Sequence, residues 1–167
     1  SLYAYRNVRH NNADLPAKAW PLKLAAGLDP ATLLPASADD LDEDLAVGFE
    51  EQIFPAHQLF MSPTELSATA PLKLAAKRHG FRAATMGGFG PDMIPALRLD
   101  YVEIDRRCRA LKALVDAASA ATFRFVHADD ETRQWQLTLD LRHRLGHASG
   151  GLFPRGGVAG NLPSGEA

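Results

Sequence analysis

Residues 54 to 85 constrain the fold more than any other stretch of the chain. "FPAHQLFM" (54–61) mixes aromatic and apolar residues as a strand does, "TAPLKLAAKRHG" (69–80) reads as a helix, and "FRAAT" (81–85) as a second strand. Thr69 is a candidate cap, Pro71 suits the first turn, Lys77, Arg78 and His79 oppose the negative end of the helix dipole, and Gly80 supplies a stop. Strand, helix and strand in that order make a βαβ unit, which crosses over right-handed and joins parallel strands. The expected class is therefore α/β, a Rossmann-like parallel sheet with flanking helices.

"LYAYRNV" (2–8) looks like a strand already under way, and residue 1 is Ser rather than Met, so the natural start is expected upstream. "RHNNADLP" supplies turn residues and a helix start at Asp14 to Pro16, followed by short helical turns interrupted by Pro21, Gly27, Pro30 and Pro35. The acidic run 39–44 leads into "LAVGFEE", where Leu41, Leu45 and Phe49 repeat at helical spacing. One amphipathic helix is expected there, with the charges as its solvated face. After 85 the glycines of "TMGGFGP" turn the chain into the clearest helix, 93 to 118, on which Ile94, Leu97, Tyr101, Ile104, Cys108, Leu111 and Val115 form an apolar stripe that should face a core. Cys108 belongs to that stripe as a packing residue.

Beyond the helix the pattern changes to alternation. "ATFRFV" (121–126) and "QWQLTLDLR" (134–142), joined through "HADDET", predict an antiparallel hairpin. A boundary is placed near residue 120, with residues 1–120 as the Rossmann-like α/β domain, lacking its first strand, and residues 121–167 as the truncated start of a β-rich second domain.

Composition narrows the function. With 167 residues, 46% of them hydrophobic and 23% charged, the chain has the material for a packed core. Eighteen basic residues against twenty acidic give a net charge of -2, which provides no general attraction for nucleic acid or an anionic membrane. The single cysteine cannot form an internal disulfide, and no signal peptide or membrane-spanning run is recognisable, so a reducing cytoplasm is expected.

Several segments are candidates for chemistry. The loops "SPTELSATA" (62–70) and "TMGGFGP" (85–91) both follow strands and precede helices, where open parallel sheets bind ligands and where helix N–H groups can hold an anion. Their spacing is not that of a dinucleotide loop and no GK[ST] follows, so they read as structural turns. His143 and His147 are four apart, but in "LRHRLGHASGG", a strand end running into a glycine-rich loop rather than one helix face, and they are not read as a metal pair. The last stretch, "GGVAGNLPSGEA" (156–167), is different. Pro163 fixes one backbone angle, Gly165 permits a sharp approach and Asn161 can tie the turn to its own backbone, so Glu166 is either a solvated residue or a carboxylate held at the end of a loop.

"GNLPSGEA", preceded by a strand with Asp140 and a glycine-rich loop, resembles the segment entering the active site of the aminopeptidase T family of metallopeptidases. There an Asn-x-Pro-x-x-Glu motif supplies a metal-binding glutamate. "SPTELSATAPLK" and "TMGGFGPDMIPALRLDY" also resemble the amino-terminal domain of that family, and the likeness runs from about residue 52 onward. The resemblance implies that Glu166 is a metal ligand, that Asn161, Leu162, Pro163 and Gly165 shape its loop, and that residues 121–167 begin a metallopeptidase-like catalytic domain. In an intact relative two divalent ions, Zn, Co or Mn, would activate a water to attack the first peptide bond of a substrate. The other ligands have no match in this chain, which alone is therefore expected to bind no metal and to be inactive. The partners implied are a peptide or small-molecule substrate, without nucleic acid or membrane, and a homodimer is admitted as the assembly. Two alternatives remain: an iron-dependent ring-cleaving dioxygenase on the same scaffold, and a non-catalytic α/β binding or assembly module.

Overall fold

The computed structural model describes residues 1–6, 8–22 and 42–167. They fall into two units, one of Ser1–Leu97 with Phe153–Pro163, the other of Arg98–Leu152 with Ser164–Ala167. The expectations for Gly27, Pro30, Pro35 and Leu41 lie outside the described residues.

The first unit opens with a small antiparallel sheet in which β1 (Leu2–Ala4) pairs with β2 (Lys18–Leu22), and β2 with β3 (Val47–Gly48). The expected helix start at Asp14 to Pro16 is thus corrected: the chain enters a strand. Pro21 is tolerated because each residue of β2 is paired on one side only, Trp20 to Leu22 with β1 and Lys18 and Ala19 with β3. Ala19 and Trp20 are buried, and the Trp20 indole N–H donates to the Asp42 carbonyl at 2.9 Å.

The amphipathic helix expected around Leu45 and Phe49 is also overturned. Asp42 caps a single 3-10 turn, Glu43–Leu45, by accepting from the Asp44 N–H, after which the chain extends into β3. Side chains such as Asp bond nearby backbone donors and so favour caps over helix interiors. Leu45 is left exposed, whereas Phe49 is buried at the start of a π-helical segment, Phe49–Ile53, that runs into α1 (Phe54–Ala56). This turn brings Phe49, Ile53 and Phe54 together in the core, so the strand expected from residue 54 begins later, as β4 (Leu59–Thr64).

From β4 onward the βαβ reading holds. α2 (Thr69–His79) follows, with Ala68 rather than Thr69 at the cap position, and ends at Gly80, whose left-handed backbone (φ 76°) glycine adopts without steric cost. β5 (Arg82–Gly87) then pairs parallel to β4 from Leu59↔Arg82 to Thr64↔Gly87. The alternation expected of a half-exposed strand is absent from β5. Ala83, Ala84, Thr85 and Met86 are all buried, as in the centre of a parallel sheet.

Under this sheet Phe60 and Phe81 have ring centroids 4.4 Å apart, and Phe54 lies 5.1 Å from Phe81 and 5.5 Å from Phe60. Leu72, Ala75 and Ala76 complete the layer from α2.

The long helix expected at 93–118 is two elements. Pro91–Arg98 is 3-10 helix, and α3 (Tyr101–Ala117) starts afresh where the Asp100 carboxylate accepts from the N–H groups of Val102 and Glu103. Pro95 cannot donate to a continuous α-helical ladder, and the Asp100 cap is the more favourable use of the backbone at the break. The stripe is broken with it. Cys108 is buried, Leu97, Ile104 and Val115 are half-buried, but Ile94 and Leu111 are exposed rather than facing a core.

In the second unit β6 (Ala120–His127) and β7 (Asp130–Asp140) form the expected antiparallel hairpin, with a bulge at Val126/His127. A last strand, β8 (Ala159–Asn161), belongs to the first unit, where the glycine-rich sequence predicts a loop. It pairs parallel to β5, giving the sheet order β4-β5-β8. Gly156 makes its approach feasible, since a Cβ there would lie 2.2 Å from the Gly80 carbonyl oxygen. The molecule is thus a mixed α/β chain whose three-stranded parallel sheet is flanked by helix, and none of the described helices is long and apolar enough to cross a membrane.

Two outcomes follow. Phe81→Ala should cost about 3–5 kcal/mol in urea unfolding, because Phe81 is fully buried among aromatic rings, whereas Leu114→Ala on an exposed face of α3 should cost under about 0.5 kcal/mol. On α3 the Arg106 guanidinium, helped by that of Arg107, lowers the Glu103 carboxyl from 4.5 to about 2. A depressed carboxyl pKa means that the stabilisation these pairs give is present at neutral pH and is lost as pH falls through about 2. Carboxyl NMR titration should place the Glu103 midpoint near 2, rising toward 4.5 in Arg106→Gln.

Candidate functional site

The carboxyl ends of the parallel strands, where α/β sheets hold ligands, gather hydroxyl and amide groups. Thr85 in β5 is fully buried, Thr69 opens α2, and Asn161 closes β8, where its register partner is Thr85. The Thr85 hydroxyl is 2.7 Å from that of Thr69, 2.8 Å from the Asn161 amide head and 3.1 Å from the Gly160 carbonyl, and Thr69 also bonds the Asn161 amide head. Ser67 continues the chain of groups, 3.0 Å from the Thr69 hydroxyl and 3.1 Å from the Asn12 side-chain oxygen. Asn12 accepts in turn from the Ala70 N–H at 2.9 Å, satisfying a donor in the first turn of α2.

Both threonine hydroxyls face the Asn161 side-chain oxygen, which is placed to accept from them, and the Thr85 hydroxyl also reaches the Gly160 carbonyl.

The terminal loop leaves this cluster and crosses from the first unit to the second between Pro163 and Ser164. Leu162 donates its N–H to the Thr85 carbonyl at 2.9 Å, and the Leu162–Pro163 bond is cis. In the second unit Ser164 donates its hydroxyl to the Ser149 carbonyl at 2.7 Å, next to Gly165, which is exposed. Glu166 is bonded to Ser149 in both directions, its N–H donating to the Ser149 carbonyl at 3.2 Å and its carbonyl accepting from the Ser149 N–H at 2.8 Å. The backbone of Glu166 is therefore fixed while the residue stays exposed.

The remaining candidates stand apart from any metal set. Asp140 is engaged by Arg142, whose side chain first and backbone N–H second lower its carboxyl pKa. His143 and His147 are exposed, and His143 has a left-handed backbone (φ 63°). Cys108 is buried with its thiol 3.9 Å from the Ser149 carbonyl. Among the described residues no three His, Cys, Asp or Glu side chains are grouped to hold a metal ion.

Sequence reasoning singled out Asn161 but placed it in a loop-shaping role, and missed Thr69 and Thr85 as its partners. The usable signal was "VAGN", whose small residues suit a strand packed against the alanines of β5. No family model, curated protein or solved structure matches the chain.

The cluster gives a direct test. Thr85→Val removes a buried hydroxyl with little change in volume and leaves its partners unsatisfied, so it should cost about 1–3 kcal/mol. Thr85→Ser, which keeps the hydroxyl, should cost less, and paired with Asn161→Ala the Thr85→Val effect should be non-additive in urea unfolding.

Proposed function

We propose that the chain is the Rossmann-like amino-terminal part of a metal-dependent aminopeptidase-like protein, together with the start of its catalytic domain, and that Glu166 is one of the metal ligands. The observation that carries the reading is the presentation of Glu166. Its backbone is tied reciprocally to Ser149 while its carboxylate remains exposed at the end of the Asn161–Pro163 turn. A ligand must be held by groups that do not themselves consume it, and here main-chain bonds do the holding.

Asn161, Leu162 and Pro163 have a shaping role on this reading. The Asn161 amide and the Leu162 N–H bond Thr85 in the sheet, which aims the chain as it leaves β8. Gly165 supplies the approach to Glu166. The substrate class proposed is a peptide with a free amino terminus, and the compartment is a reducing cytoplasm, where the lone thiol of Cys108 stays unpaired.

The described residues do not by themselves fit a metal pair. They bring one exposed carboxylate to this loop and no group of three donors. Zn, Co or Mn would need further ligands from polypeptide outside them.

The test compares the 167-residue chain with the natural-length gene product. The chain should hydrolyse no amino-acid p-nitroanilide with added Zn²⁺, Co²⁺ or Mn²⁺, while the natural-length protein should do so and lose both metal and turnover in Glu166→Ala. In the 167-residue chain the same substitution should change stability by less than about 0.5 kcal/mol, as surface changes usually do. Unchanged metal occupancy and turnover in the natural-length Glu166→Ala protein would return Glu166 to an ordinary loop residue.

A further inference from the structure

We propose that the first unit carries a binding site for a small uncharged aromatic molecule with a hydrogen-bond donor, of the phenol or indole class. The site is a cavity of about 390 Å³ bounded by β1, the turn at 49–57 and β4. Ligand pockets occupy roughly 300–1,000 Å³, and a dry cavity of about 150 Å³ already holds one benzene, so this space takes a ring with its substituents.

The lining defines the ligand. Tyr3, Tyr5, Phe49, Phe54 and Phe60 contribute to it together with His57. Several of these rings meet edge to face, with centroids 5.8 Å apart for Tyr5 and Phe49, 5.5 Å for Phe54 and Phe60, and 5.9 Å for His57 and Phe60. A further ring can join such a set through the same kind of contact. Among the described residues that line the cavity none is Asp, Glu, Lys or Arg, so a charged ligand would lose its hydration without gaining a side-chain counter-charge. Leu59 and Met61 of β4 also belong to the lining and are 57% and 65% exposed, so the cavity is reached from solvent beside that strand.

The polar handle is the Tyr3–His57 pair. The Tyr3 hydroxyl lies 3.1 Å from His57 Nε2, and both residues are half-buried. With Nε2 as the unprotonated nitrogen, the Tyr3 hydroxyl donates to it, and the phenolic oxygen keeps capacity to accept from a ligand O–H or N–H. An apolar wall with one such group is the usual make-up of a small-molecule site, the apolar part holding the ligand and the polar part orienting it. The inference is independent of the role given to Glu166, which lies in the second unit.

The test uses 4-fluorophenol as probe, titrated against the 167-residue chain and followed by ¹⁹F NMR. Saturable binding is expected with a Kd on the order of 1 mM or below. Fluorobenzene, which lacks the donor, should bind about fivefold more weakly, and 4-fluorobenzoate at least about tenfold more weakly. Amide shifts of the ¹⁵N-labelled chain should be confined to residues of the lining, Tyr3, His57 and Phe60 among them. The double variant Tyr3→Phe with His57→Phe removes both hydrogen-bonding partners and keeps their rings, so it should retain the circular dichroism spectrum and fluorobenzene binding while losing the preference for 4-fluorophenol. Absence of saturable 4-fluorophenol binding, as a cavity already filled by polypeptide would give, overturns the proposal. So do shifts centred outside the lining, equal binding of 4-fluorobenzoate, or a preference for 4-fluorophenol that survives in the folded double variant.

Discussion

The first unit depends on β5 being a central strand. Its backbone is bonded to β4 on one edge and β8 on the other, and four successive side chains, Ala83 to Met86, are buried. A strand covered on both faces needs small or apolar residues throughout, and three of these four are. Its neighbour Phe81, at the strand's entrance, packs against Phe60 and Phe54, so the same few residues set both the ladder and the aromatic layer beneath it. Those contacts also explain why residues 49–56 are helical: Phe49, Ile53 and Phe54 reach one core only from a turn.

Thr85 is the polar exception in β5, and it organises the sheet's carboxyl end. A buried hydroxyl is tolerated only when it is bonded, and here its partners come from α2, β8 and the β8 backbone. That requirement couples a helix start to the last strand across 92 positions of sequence, from Thr69 to Asn161. The loop to Glu166 leaves from this tied point. In the second unit the reciprocal bonds to Ser149 fix the Glu166 backbone.

The second unit is organised differently. α3 buries Cys108 but leaves Val102, Leu111 and Leu114 exposed, and the hairpin has one polar and one uncovered apolar side. Charge pairs line α3, Glu103 with Arg106 and Arg107, Asp105 with Arg109, and Lys112 with Asp116. Asp116 sits near the carboxyl end of the helix, where a negative charge is unfavourable. Lys112, and behind it the Gly146 N–H, lower its carboxyl pKa. Such exposed pairs hold a helix surface but cannot replace apolar burial.

The sequence by itself determined the elements whose signals are local. The parallel β4–β5 pair, α2 with its Gly80 stop and the β6–β7 hairpin all follow from apolar spacing, helix-end chemistry and strand alternation, which act within a few residues. Even the break before α3 was encoded locally, in Pro95 and Asp100, although the regular stripe from Ile94 to Val115 concealed it. Tertiary structure decided the rest. "KAWPL" becomes a strand because partners pair with it one side at a time, and "AGN" becomes β8 only because β5 offers a free edge and Gly156 lets the chain pass Gly80. The resemblance in "NLPSGE" marked Glu166, and Asn161 was marked with it. That Asn161 meets Thr69 and Thr85 was not readable, because hydrogen bonds between residues so far apart exist only after the sheet has brought their strands together.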